Sequence, residues 1–425
     1  MKKIILVILG MHFSFMALGS GEVREHKRNR HIHGAHKECS LPKSTQDIIN
    51  CALSFHPSVK RQEGKVSSAA LLEDKAGQYP NPKISARYVQ GDNNGEKTSE
   101  LETNLTFTIQ LGGKNSAKTG TAKAYHLQAQ ASAEAIKSQI KMNTILNLYR
   151  LRQVVDEKRV LAETLMAFEK VIGQLKKLPR LAAEQEASLT LFEIAFEEAK
   201  VNESELFEEE RKLEHFFHIA TGHSFKEIYP YLPRAVKSWP KVSDEGTGKD
   251  SPELKKLKSL SQLATVKLND QKAQAWPDLQ IGPSFSVDKD GSEEVKKLGV
   301  NLQIPIPLFQ VNGGGKAHAR SELLRSQRNI KLTRAEENHE RYEQLQVYES
   351  STRILSKTLK QDVIEKKHKR IERLYQRGVV SSSTFLDSLK QKDSYLKSRN
   401  HRELTAVKAL WNIYMYDGKI FEVSL

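Results

Sequence analysis

Three groups of residues in this chain have the types and spacing to do chemistry. Gly313-Gly314-Gly315-Lys316 and Gly112-Gly113-Lys114 each follow a run of alternating apolar residues and open a helical stretch. In that context glycine amides and a lysine can cradle a phosphate, provided Ser or Thr follows the lysine to hold magnesium. Here Ala317 and Asn115 follow, so Gly112, Gly113, Gly313, Gly314 and Gly315 read as strand-to-helix hinges. His31, His33 and His36, with Cys39 beyond them, have the composition of a soft-metal site. His215 and His218, three apart on a helix, could chelate an ion. A solvated basic extension and a polar helix surface explain both sets more simply. Asp288 and Asp290 resemble a calcium loop only in part, because the glycine is misplaced and no bidentate Glu follows. No nucleophile elbow, zinc-binding helix or paired-cysteine motif occurs. The sequence thus assigns no catalytic residue, cofactor or metal ligand, and the chain does not read as an enzyme.

The elements around those glycines are more telling. Leu302, Ile304, Ile306 and Leu308 alternate with Asn301, Gln303, Pro305 and Pro307. Leu105, Phe107, Ile109 and Leu111 alternate with Asn104, Thr106, Thr108 and Gln110. Leu279, Ile281, Phe285 and Val287 form a third run, and Ile84, Ala86 and Tyr88 a fourth. The runs make two hairpins, at residues 83–111 and 278–309, turning at Gly91–Gly95 and Asp288–Gly291. Each run is about the 9–11 residues of a tilted membrane strand, although such alternation also suits a half-buried soluble sheet. In the membrane reading Leu105, Phe107, Ile109, Leu302, Ile304 and Ile306 face lipid, and Thr106, Thr108 and Gln303 face a lumen.

Composition and the ends narrow the choice. The chain has 425 residues and a formal charge of +15, with 23 Gly and 13 Pro gathered near the strands. Lys and Arg are interleaved with Glu over helical stretches and no basic-aromatic groove appears, which excludes nucleic acid as a partner. Lys2 and Lys3 precede an apolar core from Ile4 to Leu18, and small residues end at Gly19. Residues 1–19 therefore read as a secretory signal, and 20–41 as a polar His-rich extension. Beyond the signal no apolar run is long enough for a spanning helix. In an oxidising compartment Cys39 and Cys51 could pair or stay free.

The chain is internally duplicated. His56-Pro57 resembles Ser251-Pro252, Tyr79-Pro80 resembles Trp276-Pro277, Gly112-Gly113-Lys114 resembles Gly314-Gly315-Lys316, and Gly222 resembles Gly418, each roughly 200 positions apart. The first repeat is 42–222, with a long helical hairpin at 114–220. A linker of 223–250 leads to the second repeat, 251–418, with a helical hairpin at 316–416, and a tail of 419–425 follows. Ile145, Leu148, Leu151 and Val155 recur in threes and fours, as do Leu386, Leu389, Leu396 and Val407. Such narrow stripes on long charged helices call for coiled-coil neighbours. Four amphipathic strands cannot close a barrel, and lipid does not tolerate an open edge. Bacterial barrels have an even number of eight or more strands, so a homotrimer of twelve strands gives a lumen, and a dimer of eight satisfies strand count alone.

Asn81-Pro82-Lys83-Ile84, Ile304-Pro305-Ile306-Pro307-Leu308-Phe309, Arg377-Gly378-Val379-Val380-Ser381 and Phe385-Leu386-Asp387-Ser388 together resemble the outer-membrane efflux protein family, the TolC-like ducts. Leu111-Gly112-Gly113-Lys114 resembles its heavy-metal, CzcC-type branch. The resemblance covers roughly residues 42–418. It implies an α+β membrane fold, a trimer with a 12-stranded barrel in outer-membrane lipid and a helical tunnel in the periplasm of a Gram-negative bacterium. It also implies a periplasmic adaptor and an inner-membrane pump of the RND type. The turns near Pro179 and Gly378 become the periplasmic tip, and Leu178-Pro179-Arg180-Leu181-Ala182 departs from the family pattern there. Arg377, Gly378, Val379 and Ser381 are then the adaptor-docking residues. A resting duct must not leak, so Tyr375, Asp387 and Asp393 are candidates for a polar gate, with Lys390, Lys392 and Lys397 beside them. The competing function is a periplasmic coiled-coil scaffold without a pore, which has no use for four membrane-length strands.

Overall fold

The computed structural model describes residues 39–93 and 95–425. The signal and the histidines at 31, 33 and 36 lie outside them. Ser44 starts helix α1 (Thr45–Phe55) by accepting the Asp47 amide at 3.2 Å. His56 caps α2 (Pro57–Ala76) through Nδ1, 3.1 Å from the Ser58 amide, with Pro57 in the first turn where its missing N–H costs nothing. Strands β1 (Lys83–Asn93) and β2 (Glu96–Gln110) follow, then α3 (Lys114–Lys176), α4 (Ala183–Thr221) and the single turn α5 (Phe225–Ile228). Ser251 caps α6 (Pro252–Ala273), its Oγ 3.0 Å from the Leu254 amide. Then come β3 (Asp278–Asp290), β4 (Glu293–Gln303), α7 (Gly313–Lys357), α8 (Gln361–Gln376) and α9 (Ser382–Tyr416). Among the described residues no helix is long and apolar enough to cross a membrane.

At 63 residues α3 is about 95 Å long at 1.5 Å per residue. Its apolar stripe meets α1, α4 and α9 in one core containing Ile145, Leu148, Leu151, Phe168, Phe192, Phe217, Leu389 and Trp411. Phe168 and Phe192 join α3 to α4 edge to face at 5.8 Å; truncating such a ring costs about 3–5 kcal/mol. Buried charge fixes the helix register. Glu157, Gln153, Asn400 and Glu403 are all fully buried. The Asn400 amide donates to Glu157 at 2.8 Å, Arg150 clasps both Glu157 and Glu209, and Glu403 accepts from Gln153 at 3.2 Å and from the Val236 amide at 2.8 Å. The network joins α3, α4 and α9 to the linker. Cys39 and Cys51 form a disulfide.

Two expectations need correction. Ile304, Ile306 and Leu308 do not extend the last strand: β4 ends at Gln303. Pro305 and Pro307 have no N–H to give the ladder. The second long helix is also broken, with Thr358 extended at φ −75°, ψ 151° between α7 and α8. In α7 the buried face runs through Arg341, Leu345, Tyr348 and Leu355. Continued by threes and fours it would present Asp362 and Lys366. The break resets the phase so that Ile364, His368, Ile371 and Tyr375 face inward instead.

The hinge glycines divide into two kinds. Gly112 and Gly113 have φ of +67° and +75°, and a Cβ on Gly112 would fall 2.3 Å from the Trp276 ring. At the other junction Asn312 takes the left-handed turn at φ 52°, and Gly313, Gly314 and Gly315 are already the first turn of α7. Gly112→Ala should cost about 1–2 kcal/mol from the backbone alone, with the displaced Trp276 adding to it. Thermal unfolding in detergent should show the loss, while Gly313→Ala, at a helical position with open space, should leave the midpoint unchanged.

Candidate functional site

Among the described residues no pocket gathers the groups of a catalytic centre; the candidate surfaces are the sheet and the helical tip. The strands form one antiparallel sheet in the order β1-β2-β3-β4. Cross-strand partners share a face, so the register sorts the side chains. Ile84 opposes Leu105, Leu101 opposes Val287, Phe107 opposes Ile281, and Ile281 opposes Leu302. Leu298 and Val300 extend this apolar face across β4. On the other face Arg87 opposes Glu102, Asn104 opposes Ser284, and Thr108 and Gln303 flank Gln280. Phe107, Ile109 and Leu302 therefore lie on the apolar face, and Thr106, Thr108 and Gln303 on the polar one. The outer edges of β1 and β4 have no partner strand within the chain.

All four strand-to-helix junctions lie at one end of the sheet, as the pairing of Gln110 with Asp278 and of Gln280 with Gln303 requires. Lys114 Nζ binds Asp278 Oδ1 at 2.6 Å there, tying the start of α3 to β3. Its ammonium is thus engaged and holds no phosphate-loop role. Tyr79, Trp276 and Phe309 are exposed around the same end, Phe309 by 99%. Asp288 lies in β3 and pairs with Lys297 at 2.6 Å, away from any calcium-loop arrangement. His215 and His218 lie exposed on α4.

At the tip, α8 ends in a Schellman motif. The Gly378 amide donates to Tyr375 O at 2.8 Å, the Val379 amide donates to Leu374 O at 2.9 Å, and Gly378 has φ +70°. Ser381 caps α9 by accepting the Thr384 amide at 3.3 Å. Arg377 and Val379 are left exposed. The α3–α4 turn lacks this device: Gln185 Oε1 accepts the Ala182 amide at 3.0 Å, and no residue between Leu178 and Ala182 has positive φ.

The gate candidates have different surroundings. Asp387 is exposed on α9. Asp393 is half-buried and pairs with Lys397 at 3.0 Å, while its Oδ1 is buried without a partner. Tyr375 stacks face to face on Phe385, 4.6 Å between centroids and 8° between planes. Lys390 reaches Glu198 on α4 at 2.9 Å. Lys392, only 8% exposed, joins three helices by binding Glu163 on α3 at 2.9 Å and Glu365 on α8 at 2.7 Å. Buried His368 lies over Phe385, with Nδ1 2.9 Å from Ser388 Oγ.

Comparison with protein-family models and with curated proteins finds no match. Solved structures do align. The Campylobacter jejuni CmeC outer membrane channel matches with a TM-score of 0.68 at 13% identity, covering 89% of this chain and 86% of that one. CusC matches at 0.67 and 14%, covering 91% and 94%. The open state of the Neisseria gonorrhoeae MtrE outer membrane channel matches at 0.68 and 13%, covering 88% and 89%. The fold is that of the TolC-like outer-membrane channels. At such identities only the fold is transferred, and each residue's role rests on its own geometry.

Sequence spacing gave no pointer to His368, to the bridging position of Lys392, or to His223 beside the cysteines. A lysine among many and histidines on polar helices have no periodic signature; a closer reading of His368 on the stripe of Ile364, Ile371 and Tyr375 would have found one of them. Burial holds the His368 imidazole below its usual range, and the Lys392 cation adds to the effect, against Glu365, Glu372 and Glu163. Burial works to raise the Glu365 carboxyl, but the hydrogen bond and charge of Lys392 outweigh it and hold it low. Both groups titrate lower in the folded than in the unfolded chain. Their stabilisation is complete above the unfolded values, near 6.5 and 4.5, and is lost as pH falls through the folded ones. Amide exchange in α8, corrected for intrinsic rates, should rise as pH drops from neutral to about 5. His368→Phe should flatten that rise.

Proposed function

We propose that this chain is one subunit of an outer-membrane exit duct in a Gram-negative bacterium. Three copies close a 12-stranded barrel in outer-membrane lipid, and their helices form a periplasmic tunnel through which substrates pass passively. The observation that carries this reading is the four-stranded sheet with one apolar face, one polar face and two open edges, joined at one end to helices of up to 63 residues. Lipid supplies the solvent that the apolar face needs, and only neighbouring chains can complete the edges. Tyr79, Trp276 and Phe309 then anchor the periplasmic rim at the headgroups. The polar face, with Arg87, Glu102, Asn104 and Lys297, lines a water-filled lumen. The outer membrane channels to which the chain is structurally similar fit this role.

The helical end meets the rest of a tripartite system: a periplasmic adaptor and an inner-membrane pump of the RND type. Arg377, Gly378, Val379 and Ser381 offer the adaptor a turn whose shape is fixed by the Schellman motif and the Ser381 cap. Asp387 and Asp393 form the gate: Asp387 is exposed and free to pair across the tip, and Asp393 pairs with Lys397 on its own helix; exposed pairs contribute about 0–1 kcal/mol each. Tyr375 supports the gate by stacking on Phe385. Gly112 and Gly113 set the angle between barrel and tunnel.

Cysteine accessibility tests the barrel. In outer-membrane vesicles Thr108→Cys should react with a water-soluble maleimide and Phe107→Cys should not; the reverse pattern overturns the reading. Phe107→Arg should lower stability by about 2–4 kcal/mol if the site is near mid-bilayer. A pore-free scaffold would show no lipid protection at either position. For the tip, planar-bilayer recordings should give a higher closed-state conductance for Asp387→Ala and Asp393→Ala. Gly378→Leu should abolish export from cells while trimers remain in the outer membrane.

A further inference from the structure

Among the described residues one group of three potential metal ligands stands together, and it lies away from both the sheet and the tip. The sulfurs of Cys39 and Cys51 and a ring nitrogen of His223 are all within 4.8 Å of one another. Cys51 is buried in α1. His223 follows Gly222, whose φ of +77° ends α4 and turns the chain back toward α1. The imidazole is 6% exposed, and its Nε2 is buried without a hydrogen-bond partner. Its Nδ1 lies 3.8 Å from Glu227 Oε2, and the buried, unpartnered Nε2 is the nitrogen left to offer a lone pair. A disulfide that served only to tie residue 39 to α1 would require no buried imidazole with an unused nitrogen beside it.

We propose that Cys39, Cys51 and His223 form a soft-metal site that the disulfide closes and its reduction opens. A dithiol passes two electrons and two protons to the Cys39–Cys51 bond, giving two thiols, while the donor's own sulfurs join. A thiophilic monovalent cation of the Cu(I) type then displaces both thiol protons, and neutral His223 adds its lone pair. Two thiolates and one imidazole suit a three-coordinate soft ion. A tetrahedral zinc ion would need a fourth ligand, and among the described residues the cluster offers no fourth side-chain donor. The assignment stands whether or not the chain forms a duct, because it uses no residue of the sheet or the tip.

The test uses the full chain purified in detergent. One portion is left oxidised and the other is reduced with a water-soluble trialkylphosphine, which takes up one oxygen from water as the disulfide becomes two thiols. Cu(I) is offered from a chromophoric chelator, whose absorbance reports withdrawal. Reduced protein should take one Cu(I) per chain and oxidised protein none. Cys51→Ser should abolish uptake, and Cys39→Ser, at the half-buried end, should do the same should Cys51→Ser fail to fold. His223→Gln should weaken binding at least tenfold. Replacing His31, His33 and His36 together with Asn should change nothing. Equal uptake by the oxidised and reduced forms, wild-type affinity in His223→Gln, or uptake that follows the three N-terminal histidines would each overturn the assignment.

Discussion

An open sheet with one oily face is the constraint on which everything else in this chain depends. Among the described residues the outer edges of β1 and β4 have no partner strand, and the face carrying Ile84, Phe107, Phe285, Leu298 and Leu302 is exposed in the single chain. In water the face is unfavourable, and in lipid the edges are worse, since each unsatisfied backbone group there costs several kcal/mol. Only an assembly that closes the edges while leaving the face outward removes both penalties. Every strand-to-helix junction lies at the same end of the sheet, so the helices must leave together and run alongside one another. The narrow stripe of α3 follows from that geometry, as does its neighbour set of α1, α2, α4, α6 and α9. A wide stripe would suit a helix buried on all sides.

The sequence showed the strands wherever alternation was clean and failed where one position broke it. In β2 and β3 the apolar residues fall on every second position from Leu105 to Ile109 and from Leu279 to Val287. In β4 the segment EEVKKLGVNLQ places Lys296 on the apolar face opposite Val287, which hides the period. The eye then moves to the cleaner alternation of Asn301–Leu308, half of which lies beyond the strand. That run alternates because prolines stand at two polar-face positions, and proline cannot hydrogen-bond in a ladder. The break at Thr358 was invisible for a related reason. No Gly or Pro marks it, and only the changed phase of the buried residues on either side requires it. The tip was the most legible part, because Gly378 and Ser381 act through local backbone chemistry that a short motif carries whole. Lys392 and His223 were the least legible, since their partners lie far away in the chain.

The two helical hairpins end in turns of different physical character. The α3–α4 pair is joined by Phe168 against Phe192, with Leu161, Val171 and Ala195 filling the same core. Separating such surfaces exposes apolar area to water at about 25 cal/mol per Å², with no intermediate partner to ease it. The α8–α9 pair is joined by Tyr375 and His368 stacked on Phe385, by Ile371 against the same core, and by polar links through Lys392, Glu365, His368 and Ser388. Water can replace each of those links as it breaks. The chain also supplies a pivot for this second pair alone: Thr358–Lys360 separates α8 from α7, and the Tyr395 hydroxyl donates to Leu359 O at 2.6 Å. One hydrogen bond from α9 thus steadies the junction, beside the helix-end bonds from the Thr358 amide to Ile354 O and from the Ile364 amide to Lys360 O. On the proposed gating role one part of the tip stays and another moves. The apolar lock, the uninterrupted α3 and the buried Glu157–Asn400–Glu403 network suit the first role. The broken helix, the ionic links and the glycine-ended turn suit the second, which on the proposed gating role puts the moving part in α8 rather than in α9, whose Phe385, Leu386 and Leu389 are held in the core with α3 and α4.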